Sequence, residues 1–150
     1  MSNILMCGNE PLGQVSDLTA DNIEYSEGVS VKQKIDGMIE SGSNANGSWI
    51  KYADGTMICT KTVNAGNRLF ANAWGSLYEA TEGIDFGDWA MEFYAKPAVS
   101  LCLANAGGAC FFGNLNNSSN TYIGACGLSR PNQATIPVVV DVIGIGRWKA

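Results

Sequence analysis

Residues 46–63 read NGSWIKYADGTMICTKTV, and their alternation constrains the fold more than any other stretch of the chain. Asp54-Gly55 is a turn dipeptide between two alternating segments, the signature of a β-hairpin closed by the type I′ turn that Asp-Gly favours. On the outgoing segment Met57, Cys59, Lys61 and Val63 share one face, while Ile58, Thr60 and Thr62 share the other, because side chains alternate across a strand. Both faces are mixed. Such a strand is better explained by a second sheet or a second subunit on its outer side than by water alone.

Composition points the same way. Charged residues make up 15% of the chain, well under the usual ~25%, and Gly, Asn, Ser and Thr replace them, residues that serve turns and caps and weaken helix interiors. Further strand-like runs fall at 89–94, 98–104, 109–112, 121–126 and 133–145, with Lys96-Pro97 marking an edge or bend and an Asn-rich turn over 114–120. Between them, 64–88 reads as a loop region rich in aromatics, Phe70, Trp74, Tyr78 and Phe86. About seven short strands separated by turn signals predict a mainly β domain, an antiparallel sandwich or barrel.

Before the hairpin the pattern differs. Residues 1–22 show no sustained period. Ser30 and Gln33 then form a capping-box pair, and Val31, Ile35, Met38 and Ile39 fall on one face of a short helix ended by Gly42. A helix of about ten residues is marginal alone in water. Its apolar stripe has to be covered, either by the domain that follows or by the same helix in sister chains. The SGSNANG segment, 41–47, reads as a flexible linker and favours the bundle. The expected organisation is therefore a lead with an oligomerising helix over 1–42 and a β-rich domain over 43–150.

Several chemistries are disfavoured or excluded. A net charge of −5 and a pI near 4.5 give a nucleic-acid backbone nothing to neutralise. No apolar run reaches the ~20 residues that span a bilayer, and residues 1–9 lack the basic and apolar regions of a signal peptide, so synthesis in a cytoplasm without standard export is expected. Five cysteines at irregular spacings, with no CxxC and no histidine, suit free thiols better than zinc or a disulfide framework, although one bridge between strand cysteines stays open. The absence of histidine removes Ser-His-Asp and Cys-His nucleophile arrangements. No cofactor or metal is expected.

Two constellations could carry function. Glu79, Glu82, Asp85 and Asp88 lie within ten residues, and a carboxylate pair held at ~5–9.5 Å performs glycosidic acid–base chemistry. The same acids also suit a solvated loop. Trp74, Tyr78 and Tyr122 offer faces on which a sugar could stack, with Asn114, Asn116 and Asn117 supplying hydrogen bonds; packing in a core or subunit interface is the competing explanation.

Along the chain stand DNIEYSEGVSVKQKID, the Gly/Ser/Asn segment, NGSWIKYADGTMICTKTV, FYAKPAVSLCLA and VVVDVIGIGRWK. This order resembles the distal parts of bacteriophage and prophage tail-fibre proteins, in which a coiled-coil or shaft segment leads to a small β-rich tip. The matching motifs are 47–58, Pro97-Ala98-Val99 and Ile145-Gly146-Arg147-Trp148, with a poor match over 64–88. The resemblance implies a homotrimer in the virion tail, joined to other tail or baseplate proteins. It implies recognition of a bacterial surface structure, usually a polysaccharide, without catalysis. Binding loops vary in that family, so it assigns no site residue here. The sequence contains no long shaft, which leaves a complete short fibre and a fragment both open. The competing readings are a β-sandwich glycan hydrolase or lyase using the acids of 79–88, and a bacterial carbohydrate-binding module.

Overall fold

The computed structural model describes residues 4–7, 10–14, 24–26, 28–32, 39–106 and 108–150. Contacts divide the chain into two units, Met1–Glu40 and Ser41–Ala150. In the first, β1 (Ile4–Cys7) pairs with β2 (Glu10–Gln14), and β3 (Glu24–Ser26) pairs with β4 (Val29–Ser30), both antiparallel. The lead expected to be irregular therefore contains hairpins. Pro11 is tolerated in β2 because the register shifts beside its partner Met6, between Leu5 and Met6.

The helix expected over 30–42 gives way to strand at both ends. Ser30 belongs to β4, Val31 and Lys32 have helical backbone, and Ile35 and Met38 lie outside the described residues. Ile39 opens a strand, β5 (Ile39–Asn44), which pairs with β6 (Gly47–Tyr52). Gly42 thus ends no helix, and most of the expected linker is strand. Ser, Gly and Asn are poor helix formers, and pairing with β6 supplies the hydrogen bonds a short helix would have to find within itself.

The opening hairpin forms between β6 and β7 (Thr56–Trp74), with Ile50 opposite Ile58 and Lys51 opposite Met57. Its loop has three residues, in place of the expected two-residue type I′ turn. Only Gly55 takes positive φ, at 92°, its N–H donates to Tyr52 O at 3.0 Å, and Asp54 Oδ1 accepts from Thr56 N–H at 2.8 Å. This is the type I turn followed by a left-handed residue that three-residue loops favour.

The remaining strands are β8 (Leu77–Ala80), β9 (Ile84–Asp85), β10 (Ala98–Ala106), β11 (Phe111–Phe112), β12 (Ala125–Cys126), β13 (Leu128–Arg130) and β14 (Ala134–Arg147). Eight strands make one sheet in the order β10-β14-β7-β8-β13-β11, with β6 and β5 attached beside β7. The fold is mainly β, and its antiparallel sheet curls into a half-barrel.

Alternation decides which face is covered. Ile136, Val138, Val140 and Val142 of β14 point inward with Met57, Cys59 and Phe70 of β7. Opposite them, β9 carries Ile84, and irregular segments carry Phe86, Trp89, Phe93 and Ile123, into the same core. The run 89–94, expected as a strand, is one of these segments: Trp89, Ala90 and Phe93 are buried at a spacing that does not alternate. It is held by backbone bonds to Thr121 O, Asn120 O and Arg147 O.

The other face of the sheet is open. Register places Ala98, Ile145, Ile58 and Ile50 in one row across four strands, and Ser100, Ile143, Thr60 and Ser48 in the next. Ile145 is 51% exposed, Ile143 40% and Ile50 38%.

Candidate functional site

Two of the residues expected to bind a ligand, Trp74 and Asn114, meet at the opposite end of that open face. The strand β7 does not stop at Val63 but runs to Trp74, then turns through Gly75-Ser76, with Gly75 at φ 57°, into β8. Trp74 pairs with Leu77 across this turn. Beyond β8, Glu79 pairs with Ser129 of β13, and Ser129 pairs with Phe111 of β11. Small Ser129 therefore lies between Glu79 and Phe111 on one face.

The result is a cleft of about 430 Å³ whose lining includes Trp74, Leu77, Glu79, Phe111, Asn114 and Ser129. Trp74 is 63% exposed and Phe111 52%. Gly113 N–H donates to Gly127 O at 2.9 Å and fixes the loop that presents Asn114. An aromatic pair beside an amide, a hydroxyl and a carboxylate can bind a ligand with an apolar face and a polar rim.

Of the expected ligand-binding residues, Trp74 and Asn114 meet in this cleft, and Tyr78, Asn116, Asn117 and Tyr122 are outside its lining. Tyr78 is half-buried against the core. Asn116 exchanges backbone bonds with Ala125 at 2.8 and 3.0 Å, and Asn117 turns the chain at φ 60°, a conformation Asn tolerates better than most residues. The Tyr122 hydroxyl donates to Asp85 Oδ1 at 2.6 Å. Phe111 and Leu77 were not singled out by sequence reasoning. The Gly-Ser pair between Trp74 and Leu77 was the available signal, since it is a hairpin turn dipeptide.

The four acids are dispersed among different partners. Glu79 enters the cleft, Glu82 pairs with Arg68 at 3.2 Å, and Asp85 accepts from Tyr122 and, at 2.8 Å, from Gly87 N–H. The hydrogen bond from Tyr122, followed by that from Gly87, holds the Asp85 carboxyl below its ordinary value. Asp88 lies beside Tyr122 in an isolated bridge, and its carbonyl accepts from Lys61 Nζ at 3.3 Å. Among the described residues no group of three or more acids or cysteines converges as metal ligands would. Cys59, Cys102, Cys110 and Cys126 are free thiols.

Further hollows flank the sheet among the described residues. One of about 410 Å³ lies among Lys51, Phe93, Tyr94 and Trp148. A groove of about 340 Å³ runs over Ser48, Thr60, Thr62, Asp141 and Ile143 on the open face, where Thr62 Oγ1 donates to Asp141 Oδ1 at 2.6 Å. It is continuous with the isoleucine rows.

No family model matches the chain, and the search of curated proteins gives no match. Two solved structures are similar to it. One is an N-truncated R1-type pyocin tail fibre, 16% identical with a TM-score of 0.47, the alignment covering 83% of this chain and 98% of that one. The other is the C-terminal part of the P. aeruginosa R1 pyocin fibre, 19% identical with a TM-score of 0.44, covering 97% of this chain and 35% of that one. Both are structures of pyocin fibres.

Proposed function

We propose that this chain is a non-catalytic tail-fibre component of a bacteriophage or related particle, assembled as a homotrimer and binding a bacterial surface polysaccharide. The observation that carries this reading is the open sheet face. One end presents isoleucines in cross-strand rows, and the other presents the Trp74 and Phe111 cleft. Apolar side chains in adjacent rows lose contact with water when a matching surface covers them, at roughly 25 cal/mol per Å². Identical copies supply that surface. The oligomer seam thus moves from the expected helix stripe to Ile50, Ile58, Ile143 and Ile145.

The cleft is the receptor site of this proposal. Aromatic faces take the apolar face of a sugar ring, and Asn114 and Ser129 take its hydroxyls. Dispersal of the acids among Arg68, Tyr122 and the cleft supports binding without hydrolysis. A glycan array on the intact protein tests the reading: a defined set of bacterial glycans is retained, and Trp74→Ala loses them with no release of reducing ends. Retention unaffected by Trp74→Ala and by Phe111→Ala would place the receptor site elsewhere.

A further inference from the structure

The lining of the cleft contains one ionisable side chain, Glu79. Glu82 and Asp85 have Arg68 and Tyr122 as partners, whereas the Glu79 carboxylate makes no side-chain hydrogen bond or ion pair within the described residues. It is exposed at the rim, next to Ser129 in register and across from Phe111. Two strand spacings separate Glu79 from Phe111, about 9–10 Å, with Ser129 as a low floor between them. That gap suits one pyranose ring lying between an aromatic wall and a carboxylate wall.

We infer that the cleft selects a cationic amino sugar, its ammonium group on the Glu79 carboxylate and its apolar face against Phe111 or Trp74. The inference rests on the proposal that this cleft binds glycan and names the class of unit it takes. An ammonium donor adds the attraction of a full opposite charge to its hydrogen bond with a carboxylate, which a neutral hydroxyl does not. The exposed indole adds attraction for a cation near its ring. A uronate or phosphorylated unit is repelled by charge of its own sign, from Glu79 locally and from a chain of net charge −5. A neutral N-acetylated unit fits the aromatic wall but gains nothing from the charge.

The experiment compares binding of glucosamine oligosaccharides, their fully N-acetylated counterparts and oligogalacturonate to the intact protein by calorimetry at low salt. The expected order is glucosamine first by about tenfold over the acetylated form, with oligogalacturonate undetected and the glucosamine advantage shrinking as salt is raised. Glu79→Gln abolishes the advantage and leaves the acetylated oligomer bound as before. Equal binding of both forms, lost together in Trp74→Ala, overturns the amino-sugar inference and leaves the cleft as a sugar site. Binding of none of the three, or binding indifferent to both Trp74→Ala and Phe111→Ala, overturns both.

Discussion

The indole of Trp89 fills the space where residue 144 would carry a side chain. A Cβ at Gly144 would stand 2.5 Å from Cη2 of that ring and 2.7 Å from Cζ3. Trp89 sits in the irregular layer and Gly144 in the longest valine- and isoleucine-rich strand, so this contact joins the two layers of the core. Phe93 meets the ring edge-on with centroids 5.3 Å apart, which resists its displacement on that side. Gly144→Ala should destabilise the β-rich unit by about 1–3 kcal/mol, the usual cost of overpacking. Gly127→Ala, which meets nothing within 4 Å, should stay within about 0.5 kcal/mol of the parent. Thermal unfolding of the two variants checks this, and equal melting temperatures would contradict it.

Lys61 lies on the inward side of β7 and reaches out of the core. Its Nζ donates to Phe86 O at 2.7 Å and Asp88 O at 3.3 Å, pinning the start of the irregular layer to the sheet. Lys61→Met keeps the stem and removes the donors. Two carbonyls then lose a charged partner, at a cost of about 1–3 kcal/mol. The loss should be local: amide exchange at 86–93 accelerates while β10 and β14 keep their protection. Uniform acceleration across the sheet would show that Lys61 supports the whole unit.

These elements also show what the sequence could and could not disclose. The hairpin at 47–60 was legible because alternation and Asp-Gly are local signals, and β14 was legible through its Val and Ile run in spite of Gly144 and Gly146. The continuation of β7 past Val63 was not. Asn64, Ala65, Gly66 and Asn67 read as loop, yet they are strand because β14 pairs with Asn64, Gly66 and Asn67, and a register shift leaves Ala65 as the extra residue of β7. Trp89, Ala90 and Phe93 looked strand-like by composition, while their burial follows the shape of the core. Trp74 and Asn114 were legible as polar-aromatic candidates. Their companions Phe111 and Glu79 are brought alongside only by the non-local register of β8, β13 and β11, which no short window of sequence contains.

The bond between Tyr122 and Asp85 makes a pH prediction with a definite sign. The Tyr122 hydroxyl and then Gly87 N–H lower the Asp85 value. A carboxyl depressed in the folded state contributes stability above its unfolded value, roughly 3.9, and loses that contribution as pH falls through the folded value. The same bond raises Tyr122, whose contribution is present below roughly pH 10 and lost as pH rises through its folded value. In Tyr122→Phe the Asp85 titration should move up towards the ordinary range. Carboxyl NMR titration reads this directly, and an unmoved midpoint would assign the shift to Gly87 alone.

Thiol reactivity should sort by burial. Desolvation pushes Cys59 and Cys126 up to about 11, and both are buried, so neither forms thiolate readily at pH 8. Cys102 is exposed on the open face opposite Asp141. Alkylation with peptide mapping should modify Cys102 first in the dissociated chain, with Cys59 and Cys126 reacting only on unfolding. Early reaction at Cys59 would mean that the core opens easily along β7.

The central claim, that copies of this chain cover the open sheet face, is tested most directly by light scattering on the eluting protein at micromolar concentration. The wild-type protein should have three times the chain mass, and Ile145→Asp should have one, because an unpaired charge is costly in a buried apolar seam. A wild-type protein of single chain mass would contradict the claim, as would an Ile145→Asp variant that stays trimeric.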